Sequence, residues 1–342
     1  MRQRCIGERG PLVSALGLGT WALGGQWGRR IEPGVQAVRR AFDLGVTLFD
    51  TSRAYGGGAA EAALARGLAD LLPAHRDEIV IATAGGLETR PGVRRHKLDP
   101  PGRTVRNSDP AFLRDELLAS LRQLGTDHVD VYSVHWPDPT VPLAETAEVL
   151  AGFVREGLAR HVGFANVTAG DLAELVPTGL LDVVQVPFNL LDRGAEKEVL
   201  PRCQEAGVGV LGGSALAHGL LTGALHRDQA FAPEDWRAYS HAFRGEDYAQ
   251  LLDVVDGLAA FAAERGHTVA QVALAWALHH PAGVVPVFGA QSPGVVEENV
   301  RAAGLELSEI ELRELELLVR TAPAVGSGAG PACRTEERDD VH

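Results

Sequence analysis

Eight short apolar runs, with longer segments of helical period between them, constrain this chain more than any other feature. Leu16–Gly19, Leu48–Asp50, Ile79–Thr83, Val129–His135, His161–Phe164, Val183–Pro187, Val208–Leu211 and Val284–Val287 read as strands. Pro33–Leu44, Ala59–Leu71, Pro110–Leu124, Leu143–Glu156, Thr168–Leu175, Ala195–Ala206, Asp247–Arg265 and Thr268–His279 read as helices. Strands that are apolar without alternation are covered on both faces, which means a parallel sheet under helices. Eight such units in about 300 residues predict a single (β/α)8 barrel, an α/β fold. The runner-up is an open doubly wound sheet. That fold wants a third glycine after the first strand, and Gly17-Leu18-Gly19-Thr20-Trp21-Ala22 does not supply it.

Local punctuation agrees. Pro33 suits a first helical turn, Asp109-Pro110 is an N-cap followed by proline, and Ser308-Glu309-Ile310-Glu311 is a capping box. Arg4–Gly7 and Pro11–Val13 flank Glu8-Arg9-Gly10, a hairpin that would close the barrel bottom. Two long segments break the period. Gly85–Asp109 is rich in Gly and Pro and carries Arg90, Arg94, Arg95, Lys97, Arg103 and Arg106; Ala215–Glu246 is the second. Both follow strands, on the face where barrel active sites lie. Residues 1–320 form the domain, and 321–342, with Gly, Ser, Pro and then charges, reads as a disordered tail.

Composition excludes whole classes of function. A net charge of −13 argues against broad binding to nucleic acid or to anionic membranes. Cys5, Cys203 and Cys333 are odd in number and widely spaced, which gives no disulfide framework and no metal motif. The N-terminus lacks the apolar core of a secretory signal, and no apolar run is long enough to span a bilayer. These features predict a cytoplasmic protein.

Polar residues at strand ends converge in a barrel. Asp50 ends the second strand with Tyr55 just beyond it, His135 ends the fourth, Asn166 follows the fifth, Gln185 lies on the sixth and Ser214 follows the seventh. A phenol, an imidazole and a carboxylate at one mouth make a proton-transfer site. Gly56-Gly57-Gly58 resembles a phosphate nest but lacks the Lys-Ser/Thr of a P-loop, so it reads as a turn; His279-His280 reads as a helix end.

Over residues 3–320 the chain resembles the aldo-keto reductases. The matching segments are Leu16–Trp21 (LGLGTW), Gly45–Gly56 (GVTLFDTSRAYG), Leu117–Trp136 (LLASLRQLGTDHVDVYSVHW), His161–Asn166 (HVGFAN), Val183–Asn189 (VVQVPFN), Leu216–Gly223 (LAHGLLTG) and Gly289–Asn299 (GAQSPGVVEEN). The resemblance implies a barrel that binds NADPH (or NADH) and transfers hydride from nicotinamide C4 to a carbonyl. It implies Tyr55 as general acid, His135 orienting the carbonyl and Asp50 supporting the tyrosine. Asn166 and Gln185 would hold the carboxamide. Gly19, Thr20, Trp21, Asp50, Ser214, Leu216, Gly289 and Gln291 would complete the cofactor cleft, with Glu298 and Asn299 at the adenosine end. Trp21, Trp136 and Arg53 would line the substrate pocket.

Four positions depart from the family pattern. Ala84 stands where the family has a lysine, Ala165 where Ser is common, Gly212-Gly213 where an aromatic stacks on nicotinamide, and Gln291 where a basic residue meets the 2′-phosphate. Without the lysine, the phenol keeps an ordinary pKa near 10 and buried Asp50 rises. The expectation is a reductase with weakened or altered redox chemistry and weakened NADPH use. Two alternatives are a non-redox lyase or isomerase using Asp50, Tyr55 and His135, and a catalytically inactive nucleotide-binding barrel. The arginines of Gly85–Asp109 point to an anionic substrate or to cofactor phosphates.

Overall fold

The eight expected strands close on one another in the computed structural model, which describes residues 1–25, 27, 31–90, 103–233, 235–323 and 325. An antiparallel hairpin, β1 (Gln3–Cys5) and β2 (Leu12–Ser14), comes first. The barrel strands are β3 (Gly17–Gly19), β4 (Leu48–Asp50), β5 (Val80–Gly85), β8 (Val129–Val134), β9 (Ala159–Ala165), β10 (Val183–Pro187), β11 (Gly209–Gly213) and β12 (Val285–Gly289), hydrogen-bonded in that order and closed from β12 to β3. The outer helices are α1 (Ile31–Asp43), α2 (Ala59–Leu68), the short α3 (Leu72–His75), α4 (Pro110–Leu124), α5 (Leu143–Arg155), α6 (Ala169–Leu175), α7 (Val199–Glu205), α8 (Gly245–Ala263), α9 (Val269–Leu278), α10 (Pro293–Val300) and α11 (Glu309–Val319). Asp109 caps α4, and capping boxes open α6, α9 and α11.

Two expected helices are divided. Ala59–Leu71 ends at Leu68, and Pro73 sits in the first turn of α3. In Ala195–Ala206, Glu198 leaves helical geometry at φ −139° and ψ −40°, between a short 3-10 turn and α7. Pro201 accounts for the break. It has no N–H to donate and its ring crowds the preceding turn, so α7 restarts with the proline in its first turn. The insert Gly85–Asp109 is not only loop: β6 (Leu87–Arg90) and β7 (Arg103–Arg106) pair antiparallel within it. Arg94, Arg95 and Lys97, the side chains of Arg90 and Arg103, and all of the expected tail beyond Val325 lie outside the described residues.

Two apolar cores result. The larger fills the space between strands and helices and includes Leu18, Phe49, Ile81 and Phe164. The smaller is the barrel interior: Leu48, Val80, Ala82, Val131, Val183, Leu211, Val285 and Val287. Ile6 and Val13 of the hairpin join it, both fully buried, so the hairpin closes the bottom as expected. A Cβ on Gly209 would lie 2.3 Å from the Ile6 side chain, which explains the glycine there.

Because side chains alternate along a strand, the interior face can be followed upward from this core. Leu48 leads to Asp50, Ala82 to Ala84, Val131 through Ser133 to position 135, Val183 to Gln185, Leu211 to Gly213 and Val287 to Gly289. The two-residue period thus delivers Asp50, Ala84, His135 and Gln185 to one rim.

Candidate active site

A pocket opens at this rim, at the C-terminal ends of the strands. Its lining includes Gly19, Trp21, Asp50, Tyr55, His135, Trp136, Asn166, Gln185, Gly213, Ser214, Leu216 and Gly289. It encloses about 1020 Å3 counted to its open mouth, a size that suits a small ligand.

Asp50 is 8% exposed and accepts a hydrogen bond at Oδ1 from Gln185 Nε2 at 3.0 Å. Burial raises its pKa to about 7, the Gln185 bond opposing the rise in part. Among the described residues no cation pairs with it. The chain has two lysines: Lys197 sits in the turn before α7, and Lys97 lies outside the described residues. Tyr55 is buried next to Asp50, and burial, then the Asp50 charge, push its phenol well above the ordinary value.

His135 is 4% exposed. Its ring stacks on Trp136, with centroids 4.7 Å apart and planes 3° apart, and meets Tyr55 edge-on at 5.5 Å. Its Nδ1 lies 2.9 Å from Ser52 Oγ, and its carbonyl accepts from Asn166 Nδ2 at 2.9 Å. Asn166 thus has one amide N–H engaged with protein, as has Gln185, and each keeps a carbonyl oxygen for a ligand.

Five expected positions, Thr20, Arg53, Gln291, Glu298 and Asn299, are not in the pocket lining. Arg53 turns outward, its Nη1 3.7 Å from Oε2 of fully buried Glu61 on α2, so it neither lines the substrate pocket nor replaces a lysine beside Asp50. The preference of a guanidinium for a buried carboxylate over an apolar pocket accounts for this. Thr20 is fully buried and its hydroxyl donates to the Asp50 carbonyl at 3.0 Å. It braces β3 against β4 rather than lining the pocket.

Gln291, Glu298 and Asn299 lie beyond Gly289, on and before α10. The Gln291 amide donates to the Ala22 carbonyl at 2.9 Å. Asn299 is 2% exposed and its Nδ2 has no partner among the described residues. Arg106 donates to the Pro137 carbonyl at 3.1 Å.

The segment Ala215–Glu246 forms one wall of the pocket. Arg237 pairs with Asp235, lies over the rings of Trp27 at 4.4 Å and Phe231 at 4.6 Å, and donates to the His218 carbonyl at 3.2 Å. The strand-end reasoning did not single out Ser52, Trp27 or His218, although all three stand at or beside the pocket. The signal for Ser52 was its place two residues after Asp50; nothing local marks the other two.

Among the described residues, four other than glycine have positive φ: Asn166 at 56°, Ser214 at 51°, Ala217 at 46° and His218 at 55°. All follow β9 or β11 at this rim. Each such residue costs on the order of 1–3 kcal/mol, so the surrounding packing holds the backbone here against its preference.

The donor set fits a nicotinamide. Two side-chain amides, Asn166 and Gln185, stand at adjacent strands of the lining, and glycines 19, 213 and 289 line it without side chains. Among the described residues no group of acidic, histidine and cysteine side chains could hold a metal, and no helix is long and apolar enough to cross a membrane.

The aldo/keto reductase family model matches residues 15–320. The chain is 33% identical over 319 residues to the NADH-specific methylglyoxal reductase of Escherichia coli (strain K12), covering 91% of this chain and 96% of that one. Among solved structures, it is similar to the glycerol dehydrogenase AKR11B4 from Gluconobacter oxydans, with TM-score 0.80 and 30% identity over 96% of this chain and 98% of that one. It is similar also to an aldo-keto reductase from Klebsiella pneumoniae in complex with NADPH, with TM-score 0.70 and 28% identity over 93% and 96%.

Proposed function

The chain belongs to the aldo/keto reductase family of NAD(P)H-dependent oxidoreductases, and from that premise we propose that its site reduces a small carbonyl compound with altered proton chemistry. The observation that carries the reading is Asp50. It is buried beside Tyr55, held by Gln185 and unpaired with any cation among the described residues, with Ala84 on the neighbouring strand where a lysine would stand.

Bound at this rim, a nicotinamide supplies hydride to the carbonyl carbon. Asn166, Gln185 and Ser214, all in the pocket lining, would hold its carboxamide, and Gly213 and Gly289 would flank it. On this reading Glu298 and Asn299 would meet the adenosine end, and Gln291 the 2′ position. Trp21 and Trp136 form apolar walls for the substrate. Tyr55 and His135 meet the substrate oxygen. Asp50, half-protonated near neutral pH, bonds to Gln185 and leaves the tyrosine without the cation that would ease loss of its proton.

The test is binding followed by turnover. Titration of the purified protein with NADPH and with NADH should quench tryptophan fluorescence and give a measurable Kd. A panel of aldehydes and ketones should then be reduced slowly. A second reading, non-redox proton transfer by Asp50, Tyr55 and His135, draws support from the carboxyl pKa near 7, which suits acid–base exchange at neutral pH. Turnover of a substrate without added nicotinamide would favour it. No binding of either dinucleotide would remove the hydride-transfer reading.

A further inference from the structure

Ser52 sits between β4 and Tyr55, fully buried, and its hydroxyl has three neighbours. Oγ is 2.8 Å from the Ala84 carbonyl oxygen, 3.2 Å from the Ala54 backbone nitrogen and 2.9 Å from His135 Nδ1. A serine hydroxyl has one hydrogen to give. Two oxygens 2.8 Å apart need that hydrogen between them, so it goes to Ala84. The Ala54 N–H can only donate. The Nδ1 contact is then a hydrogen bond only if Nδ1 carries the proton. In the neutral ring the Ser52 contact therefore places the proton on Nδ1 and not on Nε2.

The ring cannot easily turn away from this arrangement. Trp136 covers one face in parallel, Tyr55 meets it edge-on, the His135 N–H donates to the Gly85 carbonyl at 2.9 Å, and Asn166 binds the His135 carbonyl.

We propose that Ser52 is a positioning residue that holds His135 as the Nδ1–H tautomer, and that Nε2 of His135, rather than the Tyr55 hydroxyl, exchanges the proton with the substrate oxygen. The proposal rests on the hydride-transfer reading above. In reduction, the imidazolium gives its Nε2 proton to the carbonyl oxygen as the carbonyl carbon takes hydride from NAD(P)H. The C=O π bond is lost, one C–H and one O–H bond form, and the ring returns to its neutral Nδ1–H form. In oxidation, Nε2 accepts the alcohol proton as hydride leaves for NAD(P)+. Tyr55 donates a hydrogen bond throughout and keeps its proton. The surroundings of Tyr55 agree: Arg53 is turned to Glu61, Ala84 offers no charge, and the phenol is buried next to a carboxyl group.

The test is 15N NMR of the histidine-labelled full chain, without nicotinamide, with His135→Gln used only to assign the signals. Where the His135 ring is neutral, Nδ1 should give the protonated, pyrrole-type resonance and Nε2 the bare, pyridine-type one. Ser52→Ala should move the ring to the Nε2–H form or to a mixture. It should also lower kcat for carbonyl reduction about tenfold, the factor one net hydrogen bond controls, with the NADPH Kd unchanged. A neutral ring protonated at Nε2 in the wild type overturns the proposal, as does a ring still charged at pH 9 or a tautomer that Ser52→Ala leaves unaltered. Because the spectra need no cofactor, these outcomes are separate from failure of hydride transfer, which shows as absence of dinucleotide binding.

Discussion

Placing a lysine at position 84 would put a cation beside Asp50, and the size of the effect can be worked out. Asp50 pairs with Ala82 across β4 and β5, and Ala84 lies two residues further along the same interior face. Two residues span roughly 6.6 Å of strand, a distance that the four-carbon stem of lysine can reach back over. Burial has lifted the carboxyl from its ordinary 3.8 to about 7. That gap corresponds to roughly 4 kcal/mol. An ammonium about 4 Å from the carboxylate, at an effective dielectric of about 20, returns about 4 kcal/mol. The two nearly cancel, so Ala84→Lys should bring Asp50 back to the ordinary carboxylate range and also ease ionisation of Tyr55. A second proton route then opens through the phenol. Since general acid–base catalysis contributes about 10²–10⁴-fold, carbonyl reduction with NADPH should rise at least about tenfold. Carboxyl 13C NMR titration of Asp50 and steady-state kinetics over an aldehyde panel check the two halves. An Asp50 that still titrates near 7 in a folded variant would refute the electrostatic argument. A corrected Asp50 with normal NADPH binding and unchanged rate would refute its catalytic consequence.

Three further outcomes follow from the same structure. Asp50 binds its proton more tightly folded than unfolded, so its contribution to stability is fully present below about pH 4 and is lost as pH rises through about 7. Measured by urea unfolding, the difference between wild type and Asp50→Asn should fall by on the order of 4 kcal/mol from pH 4 to 8; parallel profiles would contradict this. With the neutral Gln291 amide bonded to Ala22, NADPH should bind less than about a hundredfold tighter than NADH (~2.7 kcal/mol), and a larger ratio by fluorescence titration would point to another cation such as Arg301. Ile6→Ala in the barrel floor should lose about 2–5 kcal/mol of stability while leaving the NADPH Kd unchanged, and a loss under 1 kcal/mol would mean that the hairpin is not a structural floor.

Local sequence carried most of the scaffold and only part of the site. Strands β4 and β10 and helix α4 stand at their expected bounds because their signals are local: an apolar run, or Asp109-Pro110 before a helical period. The interior residues of the rim were legible because the side-chain period of a strand is two. What could not be read depended on side-chain contacts that only the folded chain makes. Arg53 could not be seen to prefer Glu61 on the next helix, and Thr20 could not be seen to turn to the Asp50 carbonyl. Ser52 is unremarkable until Ala84 and His135, 32 and 83 residues away, are brought to its hydroxyl. The helical period over Ala195–Ala206 runs through Pro201 and does not show the break ahead of α7.

The hairpin under the barrel has a consequence for how the chain is made. Its contacts span almost the whole length: the Arg4 guanidinium donates to the Val284 carbonyl, a separation of 280 residues, and the Glu8 backbone N–H donates to the Gly207 carbonyl. During synthesis at about 5–20 residues per second, the first ten residues leave the ribosome well before their partners exist. Ile6 and Val13 must stay exposed, or be shielded by a chaperone, until β11 and β12 emerge. Sealing the floor is therefore a late event by topology, and the long loop it closes makes it a slow one. A nascent chain halted before residue 280 should leave the hairpin open to protease, and full-length chain should protect it.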